Sequence, residues 1–187
     1  MRLTLLFCAA AALVHAQSSA PAAGLEPTWD IAVVLNEIGA NSARLLPALD
    51  RFDPKAWVAK GASETYIEQW QSCRDQARAL ADGAKALAKN PERLSAGLEI
   101  FFRLDGLERM MNSIEQAARR YQPAAAVQTL EQVYAEGGAN RERFRQYIVT
   151  LAADRERQFE AMDKEAQRCR AALVAAPPPV RTTGRKK

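Results

Sequence analysis

The chain has 187 residues, with 26 Lys or Arg, 22 Asp or Glu and one His, for a formal net charge of +4 at pH 7. That is one domain's worth of polypeptide, long enough to bury a sizeable core without staples. Four of the basic residues (Arg181, Arg185, Lys186 and Lys187) fall in the last seven positions, so the excess charge belongs to a tail and argues against a basic face for nucleic acid.

The chain opens with Arg2, an apolar run from Leu3 to Val14, and Val14-His15-Ala16 before Gln17. A positive start, an apolar centre and a small-residue cleavage signature are the layout of a secretory signal peptide. The apolar run is about a dozen residues, short of the ~20 that a membrane-spanning helix needs. Cys8 does not read as a lipoprotein cysteine, because bulky Phe7 precedes it and most of the apolar run follows it. We therefore expect residues 1–16 to be a signal peptide, 17–26 a flexible leader, 27–175 the folded domain and 176–187 a disordered Pro-rich basic tail. The expected location is exported, either periplasmic or extracellular.

From Thr28 onward apolar residues recur at three and four, the helical spacing, and no run alternates as a strand would. The first segment, Thr28 to Phe52, carries Ile31, Leu35, Ile38, Leu45 and Leu49, with Pro47 expected to kink it. "FDPKAWVAKG" is a short capped turn, with Asp53 as cap, Pro54 at the first helical position and Gly61 as terminator. A second helix over Ser63–Lys89 places Tyr66, Trp70, Cys73, Ala77, Leu80, Ala84 and Leu87 on one seam. "NPE" is read as the start of the third, with Asn90 as cap, and the third runs to Tyr121.

Pro123 opens the fourth segment, and "EGGAN" ends it. A left-handed Gly137 or Gly138 and a capping Asn140 suit a reversal there. The fifth, Asn140 to Val174, follows Phe144, Ile148, Ala152, Arg155, Phe159, Met162, Ala166, Cys169 and Leu173. Short connections join antiparallel neighbours. The expected fold is all-α, an up-and-down antiparallel helical bundle of four to five helices.

Removal of residues 1–16 would take away His15, the sole histidine. Catalytic triads, HExxH zinc sites and Glu-x-x-His di-iron sites then lose their ligands. No catalytic, cofactor or metal residue is assigned, and no cofactor is expected. Asp105 and Glu108, with Glu99 nearby, are the remaining candidates for acid–base or hard-cation chemistry; a solvated face pairing with Arg103 and Arg109 is the plainer reading. Arg155 falls on the inward track and either pairs with a carboxylate such as Asp105 or snorkels to the edge. Trp29, Trp57 and Trp70 are candidates for a sugar or peptide platform, but Trp57 and Trp70 read first as packing residues.

An exported chain with two cysteines, Cys73 and Cys169, points to a disulfide, with separate buried thiols as the alternative. A bridge needs Cα atoms within ~7 Å. That holds only if the chain reverses at Gly137-Gly138, so the disulfide and the glycine pair support each other.

From "RLLPALDRFDPKAWVAKGASETYIEQWQSC" to "NRERFRQYIVTLAADRERQFEAMDKEAQRCR" the chain resembles an uncharacterised group of small exported helical proteins from Acidobacteria-type bacteria. The resemblance covers about three-quarters of the chain and implies no activity. The functional expectation is a non-enzymatic exported helical bundle acting through an unknown protein or envelope component. Its basic tail would add a weak contact with anionic surfaces. A carboxylate-based metal binder or enzyme, and an envelope-stress chaperone, are the alternatives.

Overall fold

The structure, a computed structural model, describes residues 30–175. The expected signal peptide, leader and basic tail, and Trp29, lie outside the described residues. Within them are six helices and no strands: α1 (Ile31–Leu49), α2 (Pro54–Val58), α3 (Thr65–Ala88), α4 (Leu94–Tyr121), α5 (Ala124–Glu136) and α6 (Gly138–Ala175). The chain is an all-α helical bundle.

Local chemistry sets several of the boundaries. Asp30 caps α1 by accepting from the Ala32 amide at 2.8 Å. Asp53 accepts from the amides of Lys55 and Ala56 at 3.1 and 3.3 Å, and Pro54 occupies the first turn of α2, where a missing donor costs nothing. Gly61, at φ 93°, takes the left-handed conformation that ends this segment. Asn90 does not cap α4. Residues 90–92 form a turn, Arg93 is extended at φ −77° and ψ 90°, and the helix starts one residue later.

Cross-helix contacts give the topology. Trp70 on α3 donates from Nε1 to the Leu49 carbonyl at 2.9 Å, while Gly39 of α1 abuts Ala81, so α1 and α3 are antiparallel. Ser113 bonds Gln69 at 2.7 Å and Arg103 bonds Gln76 at 3.3 Å, which makes α3 and α4 antiparallel as well. Down α4 from its C-terminal end, Arg119 meets Glu131 and Glu108 meets Arg145, and in the turn before α4 Glu92 meets Arg155. The partner numbers climb without turning back. α5 and α6 are therefore one kinked helix, antiparallel to α4 throughout.

The expected reversal at Gly137-Gly138 is corrected by this pairing. Gly137 is right-handed, at φ −83° and ψ −4°, so the chain bends there without changing direction. α3 touches α1 and α4, and α5–α6 touches the same two, which sets α3 and α5–α6 diagonally across the bundle.

The core runs down the centre through Leu35, Leu49, Leu80, Leu104, Met111 and Ile114, with Phe144 closing it from α6. Burying each such side chain contributes about 1.5–3 kcal/mol. Ala77, Ala81 and Ala84 on α3 are small enough to let neighbouring helices approach closely. At one end Trp57 is fully buried, stacked on Tyr121 with ring centroids 6.3 Å apart and edge-on to Tyr66. Trp57 and Trp70 are thus packing residues, as the sequence suggested.

The bundle stops before α6 does. Leu151 is its last buried residue, Ala152 to Arg155 are half-buried, and residues 156–174 are all exposed.

Candidate functional site

Two places on the molecule depart from plain bundle packing: a polar knot at the α5–α6 kink and the projecting end of α6. The knot follows from the kink itself. A helix interrupted at Gly137 leaves carbonyls of its last turn without their usual amide partners, and such groups need others. Asn41 of α1, buried, donates from Nδ2 to the Val133 carbonyl at 2.7 Å. Arg141 donates from Nη1 to the Tyr134 carbonyl at 2.9 Å, and its guanidinium lies 3.9 Å from the Tyr134 ring centroid. Gly137 is where these groups converge: a Cβ there would fall on the Asn41 amide and stand 2.7 Å from Arg141 Nη1. The glycine serves close approach here.

Burial acts on the charges of the knot. It pulls the Arg141 guanidinium down from its usual range, with Tyr134 and Glu108 opposing, and pushes the Tyr134 hydroxyl up, with Arg141 opposing. Glu108, beside the knot, is held by Arg145, which also reaches Glu142 at 3.7 Å. Further along α4 towards its C-terminal end, Arg119 grips Glu131 through Nε at 3.0 Å and Nη2 at 2.8 Å. Glu115 is raised by burial first and by Glu131 second, with Arg119 opposing. Every cation of the knot is turned to a carbonyl, a ring or a carboxylate, an arrangement suited to holding helices in register.

The sequence candidates are dispersed by the fold. Asp105 pairs with Arg109 one turn on, and Arg155 pairs with Glu92 at 3.1 Å while also donating to the Glu92 carbonyl. Of the two readings of Arg155, the pair with Asp105 is corrected, and the reach to the bundle edge is the one the structure has. Glu108 is engaged by Arg145 and so does not face Asp105 across a shared site. No group of three or more His, Cys, Asp or Glu side chains comes together among the described residues.

Cys73 and Cys169 are both free thiols, and the expected bridge between them is not formed. Cys73 lies between Gln69 and Gln76 on α3, level with Glu108 and hence with Arg145. Cys169 is about 24 residues further along α6, ~36 Å at the helical rise. Without a reversal at the glycines, nothing returns it. Burial pushes the Cys73 thiol up to about 12, which makes it inert at neutral pH.

The second place is the projecting end of α6. Phe159 is 69 % exposed and Met162 64 %. With Ala166, Cys169 and Leu173 they follow one another at three and four, as Phe144, Ile148 and Leu151 do. At 100° per residue the projecting set falls in the same ~80° arc as the packed set. The stripe that packs on α1 and α4 thus continues into solvent with nothing against it. Local pairs such as Arg157–Asp154, Arg168–Glu165 and Gln167–Asp163 support this stretch, each contributing about 0.2–0.5 kcal/mol. No described helix is long and apolar enough to cross a membrane.

Asn41 and Arg141 were not singled out from the sequence. Arg141 sits in "NRERFRQY", which has the composition of a solvated, ion-paired surface, and its burial depends on the kink. Comparison with protein families, with curated proteins and with solved structures returns no match.

Proposed function

We propose that the protein is an exported, non-catalytic helical bundle that works by contact with another macromolecule in the periplasm or outside the cell. Its contact element is the projecting end of α6. The observation that carries this reading is the apolar stripe of that segment, exposed where the rest of the same helix is packed. A helix held rigidly at its base and apolar along one line is a ready partner for another helix.

Export rests on Arg2, the Leu3–Val14 run and Val14-His15-Ala16. The non-catalytic part rests on the carboxylates that could do chemistry, Asp105 and Glu108, each being taken up by an arginine. The basic residues Arg181, Arg185, Lys186 and Lys187 add an electrostatic contact with anionic envelope material.

The test is affinity capture from envelope extracts with the processed protein and with a Met162→Lys, Leu173→Lys variant. A bound species, whether another protein or further copies of this chain, that is kept by the first and lost by the second is the expected outcome. Equal capture by both would remove the projecting helix from the function. Intact mass of the exported protein checks processing before Gln17; retention of Met1 would remove the signal peptide.

A further inference from the structure

We propose that residues 156–175 of α6 pair antiparallel with the same residues of a second copy of this chain, closing the exposed stripe in a two-helix seam. The inference rests on the contact reading above and names the partner.

The stripe's width selects a helix over a lipid surface. Phe159, Met162, Ala166, Cys169 and Leu173 occupy only ~80° of the circumference at 100° per residue. Charged residues flank them closely, Glu165 on one edge and Asp163 with Arg170 on the other. A two-position seam alternating three and four is the pattern by which helices pair, while interfacial helices present a broad apolar face.

Direction follows from where the bundle sits. The stripe is on the side that faces α1 and α4 below Arg155, so each molecule's own bundle occupies the stripe side of its helix. A parallel partner would bring its bundle to the same level and into that space. An antiparallel partner places its bundle beyond Ala175, and its tip descends towards the α3–α4 turn. The overhang of 20 residues, about 30 Å, gives room for that overlap.

Charge agrees. From Asp154 to Glu165 the helix has five acids and three bases, whereas from Ala166 to Ala175 its only charges are Arg168 and Arg170. Antiparallel pairing sets the acidic half of one copy against the basic half of the other, with Asp163 facing Arg170 along one flank. Parallel pairing stacks like on like, which costs by a similar amount.

The test uses the processed chain from Gln17 to Lys187, in which Cys169 is exposed and Cys73 buried. Sedimentation velocity over rising concentration should show a twofold rise in apparent mass. Met162→Lys with Leu173→Lys, both at exposed positions, should leave a monomer at every concentration, with the melting temperature that the parent chain shows at low concentration. For direction, a nitroxide placed on Arg157→Cys in a Cys169→Ser background should give a pair distance of roughly 30 Å, set by about 20 residues of helical rise. A short distance of about 10 Å, the spacing of adjacent helices, would overturn the antiparallel seam.

A chain that stays monomeric at all concentrations overturns the proposal. If that monomer still captures a different envelope protein through the same seam, the contact reading survives while the second copy is lost. If it instead binds phosphatidylglycerol vesicles, and the lysine variant does not, the occupant is a lipid surface and the dimer is again overturned.

Discussion

The two halves of α6 share one sequence pattern and meet opposite fates. Phe144, Ile148 and Leu151 are buried against α1 and α4, while Phe159, Met162 and Leu173, spaced the same way on the same arc, stand in solvent. What separates them is the length of the neighbours. α1 has 19 residues, α3 has 24 and α4 has 28, whereas α6 alone has 38 and is preceded by the 13 of α5 on the same line. An apolar stripe records that a helix can be covered; only the lengths of adjacent helices decide whether this chain covers it.

The strongest way to break the comparison is to remove one ring from each half. Phe144→Ala should cost about 3–5 kcal/mol, because a fully buried aromatic leaves both lost transfer energy and a cavity. Phe159→Ala should change stability by at most ~0.5 kcal/mol, as exposed substitutions do. Urea titration of the two variants at low protein concentration measures the difference. Comparable losses would mean that the projecting half packs on its own bundle after all.

Next comes the kink that keeps α5 and α6 on one line. Gly137→Ala pushes a methyl group into Asn41 and Arg141, and overpacking of this kind costs about 1–3 kcal/mol. Asn41→Ala, which leaves the Val133 carbonyl without its bond, should cost about 1–2 kcal/mol. If Gly137→Ala is neutral in thermal melts, the knot is loose and the kink does not depend on the missing side chain.

The helical segments, the capping by Asp53 and Pro54 and the left-handed Gly61 were all legible in the sequence, since each is a local pattern with a local cause. The bend at Gly137 was not. A glycine pair suits a reversal and a close approach equally, and the choice was made by Asn41, ninety-odd residues earlier in the chain. The same ambiguity misled the cysteine argument, in which the disulfide and the reversal supported each other with no outside constraint on either. Periodicity leaves Arg155 two places, inward beside a carboxylate or out at the edge, and the edge is chosen because Glu92 offers both a carboxylate and a carbonyl there. Patterns within one helix were readable; contacts between helices needed the fold.

The two thiols sharpen the contrast chemically. Cys73 is buried in the packed bundle, and its pKa is raised by burial from 9.0 to about 12. A raised folded-state pKa means that the native state holds the proton more tightly than the unfolded one. The corresponding stability is fully present below about pH 9 and is lost as pH climbs from 9 towards 12. Cys73→Ala should therefore show a shallower alkaline loss of stability than the parent chain. In the native protein at pH 8 and low concentration, where the seam is open, an alkylating reagent should modify Cys169 quickly and Cys73 only after unfolding. Equal rates at both thiols would place Cys73 in solvent and contradict the seam between α3 and its neighbours.

The smallest expected effect comes from the largest deletion. Ending the chain after Arg155 removes 32 residues, among them Phe159, Met162 and Leu173, yet every described residue it removes but Ala175, whose exposure is not described, is already exposed. Transfer energy is gained only by area taken out of water, so the bundle has almost nothing to lose. The short ion pairs that go with the segment supported the segment itself. Chemical denaturation at low concentration should give a free energy within ~0.5 kcal/mol of the full chain, with the circular-dichroism helix signal reduced in proportion to the residues removed. At high concentration the full chain should gain melting temperature over the truncated one, because association through the seam stabilises by mass action. A truncated protein that is several kcal/mol weaker at low concentration would instead show that one molecule's α6 folds back on its own bundle, and the two halves of the helix would no longer differ.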